Sequence, residues 1–111
     1  MYNQTFKSQS FTLAPATPTF LIAMNPQRRL LLIQINGVNP ATIKFGSAPA
    51  SATDGFTLGG ASVSGEQGGS ILFSSGDTPS LSGIAPVDAV YAYSTLGTTI
   101  NVQEGTVYAF L

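Results

Sequence analysis

Short segments in which hydrophobic and polar residues alternate recur along this chain, and turn-forming residues separate them. The strongest segment spans residues 29–36, where Leu31, Ile33 and Ile35 share one face and the opposite face is apolar only in its first half. Such a segment is typical of a strand in the middle of a sheet. Glycine or proline interrupts every stretch that could keep the apolar spacing of a helix. The pattern therefore predicts a chain built of strands.

Turn residues between these segments predict hairpins. Asn36-Gly37 supplies the positive φ angles of a tight turn, so we expect residues 41–46 to return antiparallel to 29–36. A second hairpin is expected around residues 95–97, where Gly97 closes a short turn. Further strands are expected at 2–13, 19–24, 55–58, 70–73, 89–94, 98–103 and, after a turn at Glu104-Gly105, 106–111 in a final strand that pairs in a sheet of this chain or of a partner.

Seven or eight short strands separated by turns indicate an all-β fold, an antiparallel β-sandwich or a jelly-roll-like domain. A length of 111 residues suits a single domain. Pro15 and Pro18 cannot donate to a strand ladder. We therefore predict an extended N-terminal arm or edge segment over residues 1–18 and a sandwich domain over residues 19–111.

The residue types that most enzymes need are scarce. The chain contains no histidine, cysteine or tryptophan, and 8% of its residues are charged. Because proton transfer, nucleophilic attack and metal binding mostly use His, Cys or clustered carboxylates, we predict a protein that is not an enzyme and holds no cofactor or metal. Ser62 lies in an incomplete nucleophile elbow, and the glycine-rich run 59–69 lacks the ending of a phosphate loop. The acids are too scattered for a calcium loop: Asp54, Glu66, Asp77 and Asp88.

The weak charge also bears on partners and location. The net charge is −1 and no basic stripe is present, so nucleic acid is not an expected partner. The apolar runs are too short for a membrane span, and the first residues do not form a signal peptide, so we expect a soluble chain made in the cytoplasm. Isolated domains usually use charge to stay apart. We therefore expect neighbouring copies to cover much of this surface, the alternative being a monomer coated with serine and threonine.

Four residues are candidates for contacts with a partner. Arg28 and Arg29 form the only cluster of charge; they fit either a solvated strand entrance or an anchor for carboxylates on another subunit, because guanidinium groups make bidentate contacts. Tyr91 and Tyr93 share one face of a predicted strand. They fit packing in the core or between subunits, or an aromatic surface of the kind that binds sugars.

The order of several segments resembles small virion structural proteins of tailed bacteriophages. The segments are Arg29-Leu30-Leu31-Leu32-Ile33-Gln34-Ile35-Asn36-Gly37, Ile43-Lys44-Phe45-Gly46, Gly55-Phe56-Thr57-Leu58, Ala89-Val90-Tyr91-Ala92 and Val102-Gln103-Glu104-Gly105. They are similar to those of head decoration, or cement, proteins, although Ile35 separates Gln34 from Asn36 at the most distinctive point. The resemblance covers residues 28–105, and its motifs are structural.

This resemblance implies a function, a partner and a location. A decoration protein of this kind is a β-sandwich, often a homotrimer, that binds the outer head surface across subunits of the major capsid protein and stabilises the shell. The expected location is then the virion, on the outer capsid surface. The alternative is a phage tail or fibre module, or a small carbohydrate-binding sandwich that recognises glycans on the host surface.

Overall fold

A computed structural model describes residues 2–63, 66–74 and 86–109. The described residues form eight strands and no helix. The strands are β1 (Tyr2–Leu13), β2 (Thr19–Ile22), β3 (Arg28–Ile35), β4 (Ala41–Phe45), β5 (Phe56–Leu58), β6 (Ser70–Ser74), β7 (Val90–Tyr93) and β8 (Thr98–Ala109).

The strands form two four-stranded antiparallel sheets that pack as a sandwich. Sheet A has the order β1-β8-β3-β6, and sheet B has the order β2-β7-β4-β5. The chain changes sheet at almost every connection, and only β4 and β5 are neighbours both in sequence and in a sheet. This strand order is that of a jelly roll. The predicted all-β antiparallel sandwich is confirmed.

The two predicted hairpins are wrong, although their strands lie close to the expected positions. β3 pairs with β6 and β8, whereas β4 pairs with β5 and β7. The turn at Asn36-Gly37 therefore carries the chain from one sheet to the other, and so does the turn before β8. A tight turn brings the next strand close, but the turn residues do not determine whether that strand pairs in the same sheet or packs across the core.

The turn expected at Glu104-Gly105 is also wrong. β8 continues through both residues and pairs with β1 from Thr98 to Ala109. Gly105 lies opposite Phe6 on β1, and the Phe6 ring occupies the space beside its α-carbon. A glycine that usually signals a turn is here a point of close packing within a strand.

Alternate residues of the strands build the core between the sheets. Leu31, Ile33 and Ile35 of β3 are fully buried against residues such as Ile43 and Val90 of sheet B. The opposite faces of the same strands are only partly buried. This alternation is what a two-layer sandwich requires.

The N-terminal segment joins sheet A. Residues 2–13 form β1, which lies at one edge of the sheet and pairs with β8 alone. Residues 14–18 then cross to β2, which is an edge strand of sheet B. No helix among the described residues is long and apolar enough to span a membrane.

Candidate interaction surfaces

A β-bulge at the start of β3 turns Arg28 into the interior. Arg28 lies opposite Thr106 and Leu30 lies opposite Gly105, so Arg29 is an extra residue without its own position in the ladder. Such an insertion shifts the alternation of faces by one residue. Arg28 consequently lies on the core side of the strand with an exposure of 1%.

The buried guanidinium of Arg28 is surrounded by acceptors. Its Nε donates to Oε2 of Glu104 at 2.7 Å, in an ion pair whose side chains are 0% and 15% exposed. Its Nη1 donates to the carbonyl oxygens of Pro86 at 2.6 Å and Asp88 at 2.9 Å, and Nη2 donates to that of Ala23 at 2.9 Å. Arg28 thus ties β3 and β8 of sheet A to the two loops that follow β2 and precede β7, all inside one subunit. Arg29 is the half-buried member of the pair.

Glu104, the ion-pair partner of Arg28, is not among the candidate residues that the sequence indicates. The sequence predicts a turn at this residue, yet Glu104 shares the inner face of β8 with Ile100 and Val102. A lone acidic residue in an apolar alternation indicates a buried basic partner. That signal was available in the sequence once β8 was taken as one continuous strand.

Tyr91 and Tyr93 lie together on the outer face of sheet B, whereas Arg28 is buried between the two sheets. Both side chains are half-buried. Tyr91 packs edge to face against Phe20 of β2, with ring centroids 5.6 Å apart, and Phe20 is itself 52% exposed. Tyr93 lines a shallow pocket of about 230 Å³ beside Leu96. The four predicted contact residues therefore do not form one site.

The loop after β4 covers another part of the outer face of sheet B. Thr42 donates from Oγ1 to the carbonyl of Ala52 at 2.6 Å. Lys44 Nζ lies 3.0 and 2.9 Å from the two carboxylate oxygens of Asp54, and the Ala50 amide donates to the same carboxylate at 2.8 Å. The charges of Lys44 and Asp54 thus neutralise each other on this face.

The ion pair between Lys44 and Asp54 predicts a lowered pKa for the Asp54 carboxyl. Hydrogen bonding from Lys44, followed by that from the Ala50 amide, lowers the pKa of Asp54 below its ordinary value of 3.8. Because the folded carboxyl has the lower pKa, its stabilising contribution is complete above the ordinary value and is lost as the pH falls through the folded value. In NMR titrations, Lys44→Met should raise the Asp54 midpoint toward 3.8. Lys7→Met should leave it unchanged, and an unmoved midpoint in Lys44→Met would contradict the assignment.

A cavity of about 660 Å³ opens between the edge strands β1 and β2. Phe6, Phe20 and Met24 at its mouth are 58%, 52% and 62% exposed, and Lys7 and Glu104 also line it. Exposed hydrophobic residues gathered around one opening are characteristic of an interaction surface. This side of the sandwich is therefore open, with exposed apolar side chains and one charge of each sign in its lining.

Apart from Arg29 at the bulge, the described strand positions on the outer face of sheet A carry no charged side chain. Phe6 and Leu72 are each 58% exposed, and Leu30 and Leu32 are half-buried between them. Serine, threonine and amide side chains supply most of the remaining positions: Ser8, Ser10, Thr12, Gln34, Ser70, Ser74, Thr99, Asn101 and Gln103. Such a face can contact another uncharged surface without burying an unpaired charge.

The described residues form no cluster of metal-binding side chains. Within 2–63, 66–74 and 86–109, no group of three or more acidic, histidine or cysteine residues could hold a metal ion. Asp77, one of the four acids weighed as calcium ligands, lies outside these ranges. The glycine-rich run is packed at both ends, since the Ala61 amide donates to the Gly37 carbonyl at 2.7 Å and the Gly68 amide to the Ile35 carbonyl at 2.6 Å.

Comparison with solved structures gives a full-length match. The fold is similar to that of a chain from a study titled "Bacillus endospore appendages form a novel family of disulfide-linked pili". The match covers 99% of this chain and 89% of the other, with a TM-score of 0.54 and 19% sequence identity. At that identity the match shows the fold. No protein-family model and no curated protein matches the sequence.

This match corrects the assignment to phage virions. The similar structure belongs to a pilus rather than a phage head, so the predicted capsid decoration protein and its location on the outer capsid are wrong. The predicted partnership with a major capsid protein has no support. The alternative of a phage tail or glycan-binding module is corrected with them. The quoted motifs hold Leu31, Ile33, Val90 and Val102, which are buried core residues. Their order reflects the packing of a jelly roll, which hosts many functions.

Proposed function

We propose that this protein is a non-enzymatic structural subunit that associates with copies of itself into an extended, non-covalent polymer. The observation that carries the proposal is the arrangement of its sheet edges. Among the described strands, β1 and β6 bound sheet A, and β2 and β5 bound sheet B. Edge strands present unpaired backbone donors and acceptors that can pair with another chain.

The directions of the edges favour open-ended growth. Each sheet has four antiparallel strands, so β1 runs opposite to β6, and β2 runs opposite to β5. A second copy in the same orientation can therefore place its β1 beside β6 and its β2 beside β5, and both sheets continue antiparallel. Contacts between two different surfaces of identical subunits produce filaments when the rotation does not close a ring.

The composition of the edges agrees with this role. Lys7 is the only charged residue on the described edge strands β1, β2, β5 and β6. Proteins that must remain monomeric usually protect such edges with charges, prolines or covering loops. The similarity in fold to a pilus protein supports the same function.

The chemistry of the junction must differ from the one named for the similar pili. Those pili are described as disulfide-linked, whereas this chain contains no cysteine. Polymers of this protein would then rest on backbone pairing and apolar contact, with Arg29, Tyr91 and Tyr93 as contact residues between copies. Their length should be unaffected by a reducing agent.

A charge on one edge tests the proposal. Leu72 lies on β6 and is 58% exposed, so Leu72→Lys places an ammonium group at the proposed junction without disturbing the core. Because a lysine on an edge strand disfavours pairing with another chain, we expect the concentration needed for assembly to rise by about tenfold or more. Sedimentation and electron microscopy of the purified chain would measure this change.

Leu96→Lys is the matched control, because Leu96 is a 68% exposed leucine in the turn before β8. This variant should assemble like the parent chain. The proposal fails if the parent chain forms no polymer at any concentration, or if Leu72→Lys assembles as readily as Leu96→Lys.

A further inference from the structure

β1 is attached to the rest of the sandwich mainly through one ladder. Its twelve residues pair with β8 in unbroken register from Tyr2 opposite Ala109 to Leu13 opposite Thr98. Among its described side chains only Leu13 is buried, while Phe11 packs partly against the core. A strand held in this way can separate while most of the core between the sheets stays packed.

The connection that follows β1 has the features of a strained hinge. Residues 14–18 contain Pro15 and Pro18, and Ala16 has a φ of 51°. That angle lies in the left-handed region, which alanine rarely adopts because its β-carbon crowds the backbone. The Ala16 amide donates to the Ser94 carbonyl at 2.8 Å, which holds the hinge in its bent form. A short hinge under strain favours the exchange of the segment it connects.

The β1 strand of a second copy can pair with β8 of the first. The β1 strand of another copy has the sequence that already fits β8 over twelve residues, so an exchanged junction would repeat every contact of the closed form. Residues 14–18, once straightened, span about 17 Å between β1 on the neighbouring copy and β2 of their own copy. The balance between closed and exchanged forms then depends on hinge strain and protein concentration.

We propose that copies of this protein exchange β1, so that the strand of one copy pairs with β8 of the next through a straightened hinge at residues 14–18. This inference rests on the proposed self-association and specifies one of its contacts. Exchange along the strand direction adds a junction at the end of the sandwich, separate from the lateral pairing of sheet edges.

Paired cysteines test the exchange directly, because the natural chain has no cysteine background. Ser10 on β1 lies opposite Asn101 on β8, at a separation suited to a disulfide. A Ser10→Cys chain and a longer, tagged Asn101→Cys chain are refolded together at assembly concentration and oxidised. Exchange predicts a disulfide between chains of different size on a non-reducing gel. Ser51→Cys, on an exposed loop, replaces Asn101→Cys in the control.

The outcomes separate the exchange from the proposed function. Both proposals are supported if polymers form and the disulfide between position 10 of one chain and position 101 of another is more abundant than the disulfide in the control. Polymers without that bridge overturn the exchange and leave the proposed function intact. A bridge in small closed oligomers supports the exchange and overturns the open-ended polymer, whereas monomers without any bridge overturn both.

Two hinge variants provide a second measurement that does not depend on oxidation. Ala16→Gly removes the strain at a positive φ, whereas Ala16→Val increases it and keeps the amide donor. We expect the fraction of exchanged species to fall about fivefold in the glycine variant and to rise by a similar factor in the valine variant. Equal fractions in the two variants would contradict a strained hinge as the cause of exchange.

Discussion

Replacing Arg28 with alanine is expected to lower the free energy of unfolding by about 3–5 kcal/mol, because it leaves the largely buried carboxylate of Glu104 and three carbonyl oxygens without their partner. Arg28 contacts Glu104 and the carbonyl oxygens of Ala23, Pro86 and Asp88, and its side chain is 0% exposed. Small domains have only about 5–15 kcal/mol of stability. The variant should therefore unfold at a much lower urea concentration, measured by circular dichroism.

Arg29→Ala is the matched control for this prediction. Arg29 is the neighbouring, half-buried arginine at the bulge, and changes at partly exposed positions usually alter stability by about 0.5 kcal/mol or less. The two substitutions remove the same side chain from adjacent positions. A loss of stability that is equal in both variants would contradict the structural role assigned to Arg28.

Replacing Gly60 with alanine is expected to destabilise the protein by about 1–3 kcal/mol, the usual cost of overpacking. A β-carbon at Gly60 would collide with the backbone of Val38 and Asn39, because the loop after β5 lies directly against the turn after β3. Neither backbone can move freely, since the Ala61 amide donates to the Gly37 carbonyl at 2.7 Å beside it. The same urea titration measures the effect.

Gly59 provides the comparison within the same loop. A β-carbon at Gly59 meets nothing within 4 Å. Gly59→Ala should therefore change the stability by about 0.5 kcal/mol or less. If both variants have the stability of the parent chain, the close approach between the two loops is absent in solution.

Most strands could be predicted from the sequence, because the alternation in segments such as 29–36 and 41–46 follows the period of a strand. Their pairing could not. The turn at Asn36-Gly37 is compatible with a hairpin and with a crossing between sheets, and the choice depends on which faces pack together in the core. The residues of the turn do not by themselves determine how the two sheets pack across the core.

The positions of the candidate contact residues could also be predicted only in part. Tyr91 and Tyr93 share an outer face as their spacing indicates. The inward direction of Arg28 depends on the bulge at Arg29, which shifts the alternation in a way the arginine pair does not signal. The open edges and the strain at Ala16 arise only from the folded arrangement of the strands.

The pairing of sheet edges between copies has a consequence for the shape of an assembly. Neighbouring strands of a sheet are rotated with a fixed hand, and the rotation accumulates from strand to strand. Copies joined edge to edge would therefore turn relative to one another at every junction. Such a fibre winds as a helix of constant handedness instead of extending as a flat ribbon, and its pitch is set by the twist of the β-sheets themselves.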